Sequence, residues 1–203
     1  MGVAIRRAGE GDREAVTRLL DDAFQNDPVS IWVFPDAEDR RRTHPLLMGA
    51  FLGIVLEEGY VDVTEDGSAC ALWLPVPAEA HEEGEDEDGD GAANVREAVD
   101  PDNERIEQIG QLTAQVHPVG TAHEYLWMIG VAPERQNEGL GTALIQHVLD
   151  RCDREHQGAY LEASNARSRA LYERLGFTFM GRTVELPDGP TMWPMWRDPV
   201  TRT

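Results

Sequence analysis

Residues 124–155 constrain the fold more than any other part of the chain, because an apolar run leads directly into a glycine loop and then into a helical pattern. The run EYLWMIGV at 124–131 is typical of a buried strand. The loop VAPERQNEGLGTAL at 131–144 follows it and contains Gly139 and Gly141. Beyond this loop, apolar residues recur at the spacing of one helical face: Leu140, Leu144, Val148 and Cys152. Such a strand–loop–helix unit is typical of α/β folds that hold a phosphate group at the start of the helix.

The other hydrophobic patterns also divide into strands and helices. Strands are predicted at 3–8, 60–64, 68–76 and 159–164, and helices at 12–24, 36–56, 102–116 and 167–175. We expect Gly176 to end the last of these helices and a C-terminal hairpin to turn at 187–190. The predicted order is β-α-α-β-β-α-β-α-β-α-β-β. This order indicates an α/β fold with helices layered on a mixed sheet, in a single domain over residues 1–203.

The chain is strongly acidic and contains no lysine. Its 38 acidic residues outnumber its 18 arginines and give a formal net charge of −20. A charge of this sign repels nucleic acid and anionic lipid, so neither is expected as a partner. Because the acidity is spread along the chain, we interpret it as adaptation to a salt-rich, halophilic cytoplasm in preference to a funnel for cationic substrates.

One acidic block interrupts the pattern of strands and helices. The segment HEEGEDEDGDG at 81–91 lies within a predicted insertion at about 79–100. A block of like charges repels itself and cannot bury apolar area, so a surface loop is expected there. A lid over a binding site is the alternative.

Compartment and metal content are predicted from what the sequence lacks. No apolar run reaches the roughly 18–20 residues that a membrane span needs, and the N-terminal residues do not have the pattern of a signal peptide. A cytoplasmic protein without a membrane partner is therefore expected. Cys70 and Cys152 are too few for a zinc site, so no metal is predicted.

Two common phosphate-binding loops do not fit the glycine pair. The nucleoside-triphosphate loop needs a lysine after its last glycine, whereas Thr142 follows Gly141. The dinucleotide fingerprint needs a third glycine or alanine, and Leu144 occupies that position. Backbone N–H groups at the start of a helix remain as a phosphate site that requires no lysine.

Two further motifs indicate which phosphate-bearing ligand the glycine loop binds. The loop has the spacing Q-x-x-G-x-G at 136–141, and NARSRALYERLGF occupies residues 165–177. Over residues 123–180 the chain resembles the GCN5-related N-acetyltransferases (GNAT). The resemblance implies a mixed, mostly antiparallel central β-sheet flanked by helices on both faces. It also implies transfer of an acetyl group from acetyl-CoA to a primary amine, by direct attack within a ternary complex.

The same resemblance assigns roles to residues. It implies binding of acetyl-CoA by eleven positions: Ile129, Gly130, Val131, Gln136, Asn137, Glu138, Gly139, Leu140, Gly141, Thr142 and Asn165. Tyr172 matches the general acid that protonates the departing thiolate, since a phenol is protonated at neutral pH.

The general base and the acceptor pocket are less well defined by the resemblance. Glu124 and Glu162 are the candidate bases, and His123 is a third residue expected beside the acceptor. Strand alternation alone does not say which of them faces the cleft. Trp32 and Phe34 are predicted to form a wall of the acceptor pocket.

Several alternatives remain open at this stage. A non-catalytic acyl-CoA-binding sensor or interaction module would use the same fold, and a nucleotide-binding regulator is a weaker alternative. The acceptor is a small-molecule amine or an exposed protein amine, because this fold hosts many substrates. The sequence does not determine whether the protein forms a homodimer.

Overall fold

The computed structural model describes residues 2–78 and 87–200. Its N-terminal half contains β1 (Ile5–Arg7), α1 (Arg13–Phe24), α2 (Pro28–Val33), α3 (Ala37–Glu58), β2 (Tyr60–Thr64), β3 (Ala69–Val76) and α4 (Glu87–Val99). Its C-terminal half contains α5 (Glu104–Ala114), β4 (His123–Val131), α6 (Leu140–Glu155), β5 (Gly158–Ala163), α7 (Ala166–Arg174), β6 (Thr178–Phe179), β7 (Val184–Glu185) and β8 (Thr191–Arg197). Most of these elements lie within two or three residues of the predicted bounds.

The described strands form a mixed sheet in the order β1-β2-β3-β4-β5-β8-β6, with β7 also paired to β8. Every pairing between described strands is antiparallel except that between β4 and β5, which is parallel. A parallel neighbour requires a crossover connection, and α6 supplies it. The predicted mixed, mostly antiparallel sheet is therefore confirmed.

Helices cover both faces of this sheet, and β3 shows the division. Cys70 and Leu72 pack into a core with α1 and α3, whereas Ala71 and Trp73 pack into a second core with α6. This division follows from the alternation of side chains along a strand, since successive residues point to opposite faces. All four residues are fully buried. The prediction of helices on both faces is confirmed.

Two helices were not predicted from the sequence. The short helix α2 begins with Pro28, and the carboxylate of Asp27 caps it by accepting a hydrogen bond from the Val29 N–H at 2.9 Å. Helix α4 occupies part of the segment that the sequence predicted as an acidic loop, so this part of the prediction is wrong. Residues 79–86 of the predicted insertion lie outside the described residues.

Helix α4 forms because the acidic run ends in a segment with its own apolar positions. Val95 is buried and Val99 packs against the same core. Gly110 of α5 lets the two helices approach closely, since a Cβ at that position would lie 2.8 Å from the Cβ of Ala92. Arg96 and Glu107 add an ion pair of 2.9 Å between the helices.

Over the described residues, no helix has both the length and the apolar composition needed to cross a membrane.

Candidate active site

A cleft opens where β4 and β5 separate. Their parallel pairing runs only from His123 with Gly158 to Tyr125 with Tyr160, although β4 continues to Val131 and β5 to Ala163. Beyond Tyr125, β4 remains paired with β3 on its other side. The separation leaves a cleft of about 1460 Å³, which reaches from the glycine loop to helices α3, α4 and α5.

The glycine loop lies at one end of this cleft. Asn137 and Gly139 have positive φ values of 68° and 83°, so the chain turns sharply just before α6 begins at Leu140. No side chain caps this helix. Its first backbone N–H groups therefore lack a partner within the helix and, with the helix dipole, form an anion site. Most of the predicted loop residues line the cleft: Gln136, Asn137, Gly139, Leu140, Gly141 and Thr142.

Three arginines from the loop and from α7 also line the cleft, and the sequence analysis did not identify them. They are Arg135, Arg167 and Arg174. Arg167 donates a hydrogen bond to the Asn137 side chain and so joins α7 to the loop. The sequence did contain a signal for two of these arginines. Arg167 and Arg174 lie within the 165–177 motif and are seven residues apart, so they lie on one face of a helix.

Two of the predicted cofactor residues do not line the cleft. Glu138 points away and pairs with Arg135 at 2.8 Å. Gly130 faces the core instead, since a Cβ there would lie 3.4 Å from the Cβ of Ala23. Its neighbours Ile129 and Val131 do line the cleft, on the side of Gly141 of α6.

Asn165 and Tyr172 both belong to the segment of α7. Asn165 lies at the start of this helix and Tyr172 lies near its end. Asn165 caps this helix by accepting a hydrogen bond from the Ser168 N–H at 2.9 Å. Tyr172 is buried but lines the cleft, and burial raises the pKa of its hydroxyl well above the usual value. The Asp27 carboxylate has a smaller effect in the same direction. Tyr172 is therefore a protonated donor at neutral pH.

Asp27 connects this motif to the other side of the cleft. One of its oxygens accepts a hydrogen bond from the Ser164 hydroxyl at 2.8 Å, while the other caps α2. It also lines the cleft. Sequence analysis used Asp27 only as part of a break between helices, because a contact between residues 137 positions apart leaves no periodic signal.

Glu162 on β5 faces the gap between the separated strands. Its two carboxylate oxygens accept hydrogen bonds from the Tyr125 and Tyr160 hydroxyls, at 2.7 and 2.8 Å. Burial raises the pKa of Glu162 to about 7, although both hydrogen bonds favour the charged carboxylate and so lower it. A carboxylate with a pKa near neutrality, at the edge of a large cleft, has the properties of a general base.

The histidines next to Glu162 divide into one that lines the cleft and one that does not. His117 lines the cleft, with its ring centroid 4.8 Å from that of Tyr125. The predicted His123 is fully buried behind it, and its Nδ1 donates a hydrogen bond to the Thr121 carbonyl at 2.7 Å. The Nε2 atoms of the two histidines lie 3.1 Å apart. His123 therefore reaches the cleft only through His117.

The other candidate base, Glu124, lies on the opposite face of the sheet. It is 4% exposed, pairs with Arg151 of α6 at 2.9 Å, and accepts a hydrogen bond from the Tyr60 hydroxyl at 2.7 Å. It does not line the cleft. Alternation along β4 places Tyr125 on the cleft side and its neighbour Glu124 on the other, so the structure does not support Glu124 as the base.

Trp32 and Phe34 do not form a wall of the cleft either. Trp32 is 5% exposed and donates its indole N–H to the Pro187 carbonyl at 2.8 Å, and Phe34 is fully buried against the ring of His44. Helix α2 turns these two aromatic residues into the core. Its Val29, Ser30 and Val33 line the cleft instead.

The ion pair of Glu124 leads to a stability prediction. We expect Arg151→Met to lower the free energy of unfolding by about 2–3 kcal/mol, because it leaves a buried carboxylate without its cation. Urea unfolding measures the loss. The double variant Arg151→Met/Glu124→Gln removes the stranded charge and should recover most of it. A hundredfold loss of turnover in a well-folded Glu124→Gln protein would contradict this structural role.

The family of the protein follows from comparison with known sequences. The acetyltransferase (GNAT) family model matches residues 65–177, which is more than half of the chain and contains the glycine loop, Glu162 and Tyr172. The protein therefore belongs to the GNAT family, as the resemblance indicated.

Curated relatives match part of the chain. The [ribosomal protein bS18]-alanine N-acetyltransferase of Escherichia coli is 38% identical over 79 residues, which are 37% of this chain and 53% of that protein. The 5-NmdU N-acetyltransferase of Pseudomonas phage PaMx11 is 37% identical over 59 residues, which are 29% of this chain and 42% of that protein. The chain thus spans about half the length of these relatives or less.

A solved structure matches the whole fold. The structure of histone acetyltransferase HPA2 and related acetyltransferase from Corynebacterium glutamicum has a TM-score of 0.73 and 24% identity to this chain. The match covers 100% of this chain and 99% of that one. At this identity the match shows the fold alone.

Proposed function

We propose that the protein is an N-acetyltransferase that transfers the acetyl group of acetyl-CoA to a primary amine, by direct attack in a ternary complex. The observation that carries this proposal is the cleft between β4 and β5, which brings the start of α6, Glu162 and Tyr172 into one space. The alternative of a non-catalytic acyl-CoA sensor does not need a carboxylate with a pKa of about 7 there. Family membership supports the same reaction class.

The loop end fits a donor that carries a pyrophosphate. The uncapped start of α6 offers N–H groups, and Arg167 and Arg174 add positive charge to an otherwise acidic protein, whereas Arg135 is paired with Asp66 and Glu138. The cradle is open at Gly139, where a Cβ would meet no atom within 4 Å. Acetyl-CoA, when bound, supplies the acetyl group as an activated thioester. Main-chain groups of Ile129 and Val131, on the separated part of β4, would hold the arm of the donor.

Glu162 acts as the proton acceptor of the reaction, and Tyr172 acts as the proton donor. An alkylamine arrives as an ammonium, and the Glu162 carboxylate accepts the proton that it must lose before the nitrogen attacks a carbonyl. A nitrogen–carbon bond then forms and the carbon–sulfur bond breaks. Tyr172 donates its hydroxyl proton to the departing thiolate, and the excess proton on the attacking nitrogen returns to the Tyr172 phenolate, so that a neutral amide, a thiol and a phenol result.

The role of Tyr172 has a direct test. We expect Tyr172→Phe to lower kcat about a hundredfold, because the phenyl ring keeps the packing and removes only the donated proton. The affinity for CoA, measured by calorimetry, should change little. Steady-state assays with an amine panel and mass detection measure the loss.

Tyr60→Phe is the matched control for this test. It removes a hydroxyl from the opposite face of the sheet, which hydrogen-bonds to Glu124, and should leave kcat unchanged. Equal turnover by wild type and Tyr172→Phe would contradict the acid role. Tight binding of CoA without acetylation of any amine would favour the sensor instead.

A further inference from the structure

The acceptor end of the cleft, beyond Glu162, has an apolar wall. Helices α3, α4 and α5, the end of β3 and the middle of β4 contribute to it. Its main apolar side chains are Phe51, Ile54, Leu74, Val95, Ile109 and Trp127. The polar side chains from these helices are few, and Asn94 and Thr113 are examples. An amine bound here places its carbon skeleton against hydrocarbon.

Two aromatic rings of this wall lie side by side. The ring centroids of Phe51 and Trp127 are 4.8 Å apart, with an interplanar angle of 48°. The register between β3 and β4 shifts at this point, since Leu72 pairs with Met128 and Trp73 pairs with Leu126. Trp127 is thus the extra residue of a bulge, and bulges beside a site redirect a side chain. Both rings remain half-buried and so offer surface to a ligand.

Charge is divided between the two ends of the cleft. The three arginines of its described lining belong to the glycine loop and to α7, whereas the described lining from α3, α4, α5 and β3 contains only one charged residue, the exposed Glu58. A carboxylate or phosphate on the acceptor would lose its hydration against this wall and find no cation there. A second ammonium against the half-buried part of this wall would likewise meet no carboxylate there, because Glu162 serves the first, Glu58 is exposed to solvent, and both oxygens of Asp27 already accept hydrogen bonds.

We infer that the acceptor is a primary amine on a hydrophobic, ring-bearing tail without an acidic group, such as a 2-arylethylamine. The ammonium lies at Glu162 and the ring lies against Phe51 and Trp127. This inference rests on the proposed function, and it excludes polyamines, amino acids and peptide amines as the preferred acceptors.

The first experiment compares amines that differ only in their tails. With acetyl-CoA as donor, kcat/KM for 2-phenylethylamine should exceed that for ethylamine and for putrescine about a hundredfold, as expected from burial of a phenyl ring. Phenylalanine should be a poor acceptor because of its carboxylate. A preference for putrescine or for a short alanine-initiated peptide would overturn the inferred acceptor and leave the proposed function standing. Failure to acetylate any amine would overturn both.

The second experiment alters the wall. Ile109 is half-buried and lines the pocket, so Ile109→Asp introduces a carboxylate that can pair with a second ammonium. We expect kcat/KM to fall at least tenfold for 2-phenylethylamine and to rise for putrescine. A parallel fall for both amines, with the melting temperature unchanged, would overturn the placement of the tail.

Further variants separate contact with the ring from general damage. Trp127→Ala and the milder Phe51→Leu should each lower kcat/KM for 2-phenylethylamine at least tenfold more than kcat/KM for ethylamine. Leu46→Ala is the matched control, since Leu46 lies on α3 with 56% exposure and outside the cleft lining. Equal effects of Phe51→Leu on both amines would overturn the contact.

Discussion

Replacement of Glu162 by glutamine is expected to lower kcat/KM by about 10²–10⁴-fold, the range for loss of a general base. The amide is similar in size: its oxygen accepts a hydrogen bond from one of the two tyrosines, Tyr125 or Tyr160, and its NH2 group donates to the hydroxyl oxygen of the other, but it takes no proton. The variant should also be more stable than wild type above pH 7. The folded-state pKa of Glu162, about 7, lies above its usual value of 4.5, so the folded protein binds a proton more tightly than the unfolded chain. The free energy of unfolding therefore falls as pH rises from about 4.5 to about 7.

Removal of the charge should recover part of this free energy, on the order of 1–2 kcal/mol at pH 8, after allowance for partial solvation. Urea unfolding of both proteins at pH 5 and pH 8 measures the difference. A loss of activity together with a gain of stability would separate the catalytic role from a structural one. Full activity of Glu162→Gln would exclude Glu162 as the base.

The pH profile gives a second measurement of the same group. In wild type, kcat/KM should rise about tenfold per pH unit below pH 7 and level off above it, since only the carboxylate accepts a proton. Tyr160→Phe removes a hydrogen bond that stabilises the carboxylate. It should raise the pKa of Glu162 and move this limb to higher pH by about one unit. An unmoved limb would contradict the assignment.

Substitution of Gly139 by valine is expected to abolish the thermal stabilisation of the protein by CoA. In wild type, CoA at a hundred times its Kd should add about 2.7 kcal/mol and raise Tm by about 5–10 °C. A β-branched residue does not adopt the φ of 83° at position 139 without strain, so the loop must change and the N–H groups of α6 lose their alignment.

Gly181→Val is the matched control for backbone strain. Gly181 has a φ of 88°, and a Cβ there also meets no atom within 4 Å, but it lies outside the cleft lining. Both variants should lower Tm without ligand, and only Gly139→Val should lose the response to CoA. Retention of the full rise in Gly139→Val would place the pyrophosphate elsewhere.

Local patterns predicted most elements but not the direction in which residues face. The strand at 124–131 and the helix after it were recognised because each has a strong period of its own. Alternation shows that Glu124 and Tyr125 face opposite sides, yet it does not say which side is the cleft. That answer depends on Arg151, 27 residues later in the chain, which pairs with Glu124 on the far side of β4.

The acceptor side was the least predictable part of the site. Trp32 and Phe34 were expected in its wall, but α2 is too short to show a period and turns both residues into the core. The actual wall comes from α3, α4 and α5, and α4 lies partly within the acidic run that suggested a loop. Trp127 lies two residues after Tyr125 and so faces the same side of β4, and the pairing with β3 shifts by one residue at this position.

The arginines at the loop end have a consequence for the rate at which the donor arrives. A net charge of −20 repels an anionic donor at long range, while Arg167 and Arg174 attract it once it reaches the cleft. At an ionic strength of 0.1 M the screening length is about 10 Å, so salt weakens the distant repulsion more than the contacts. Moderate salt should therefore speed capture of the donor, in contrast to proteins whose overall charge steers their ligands inward.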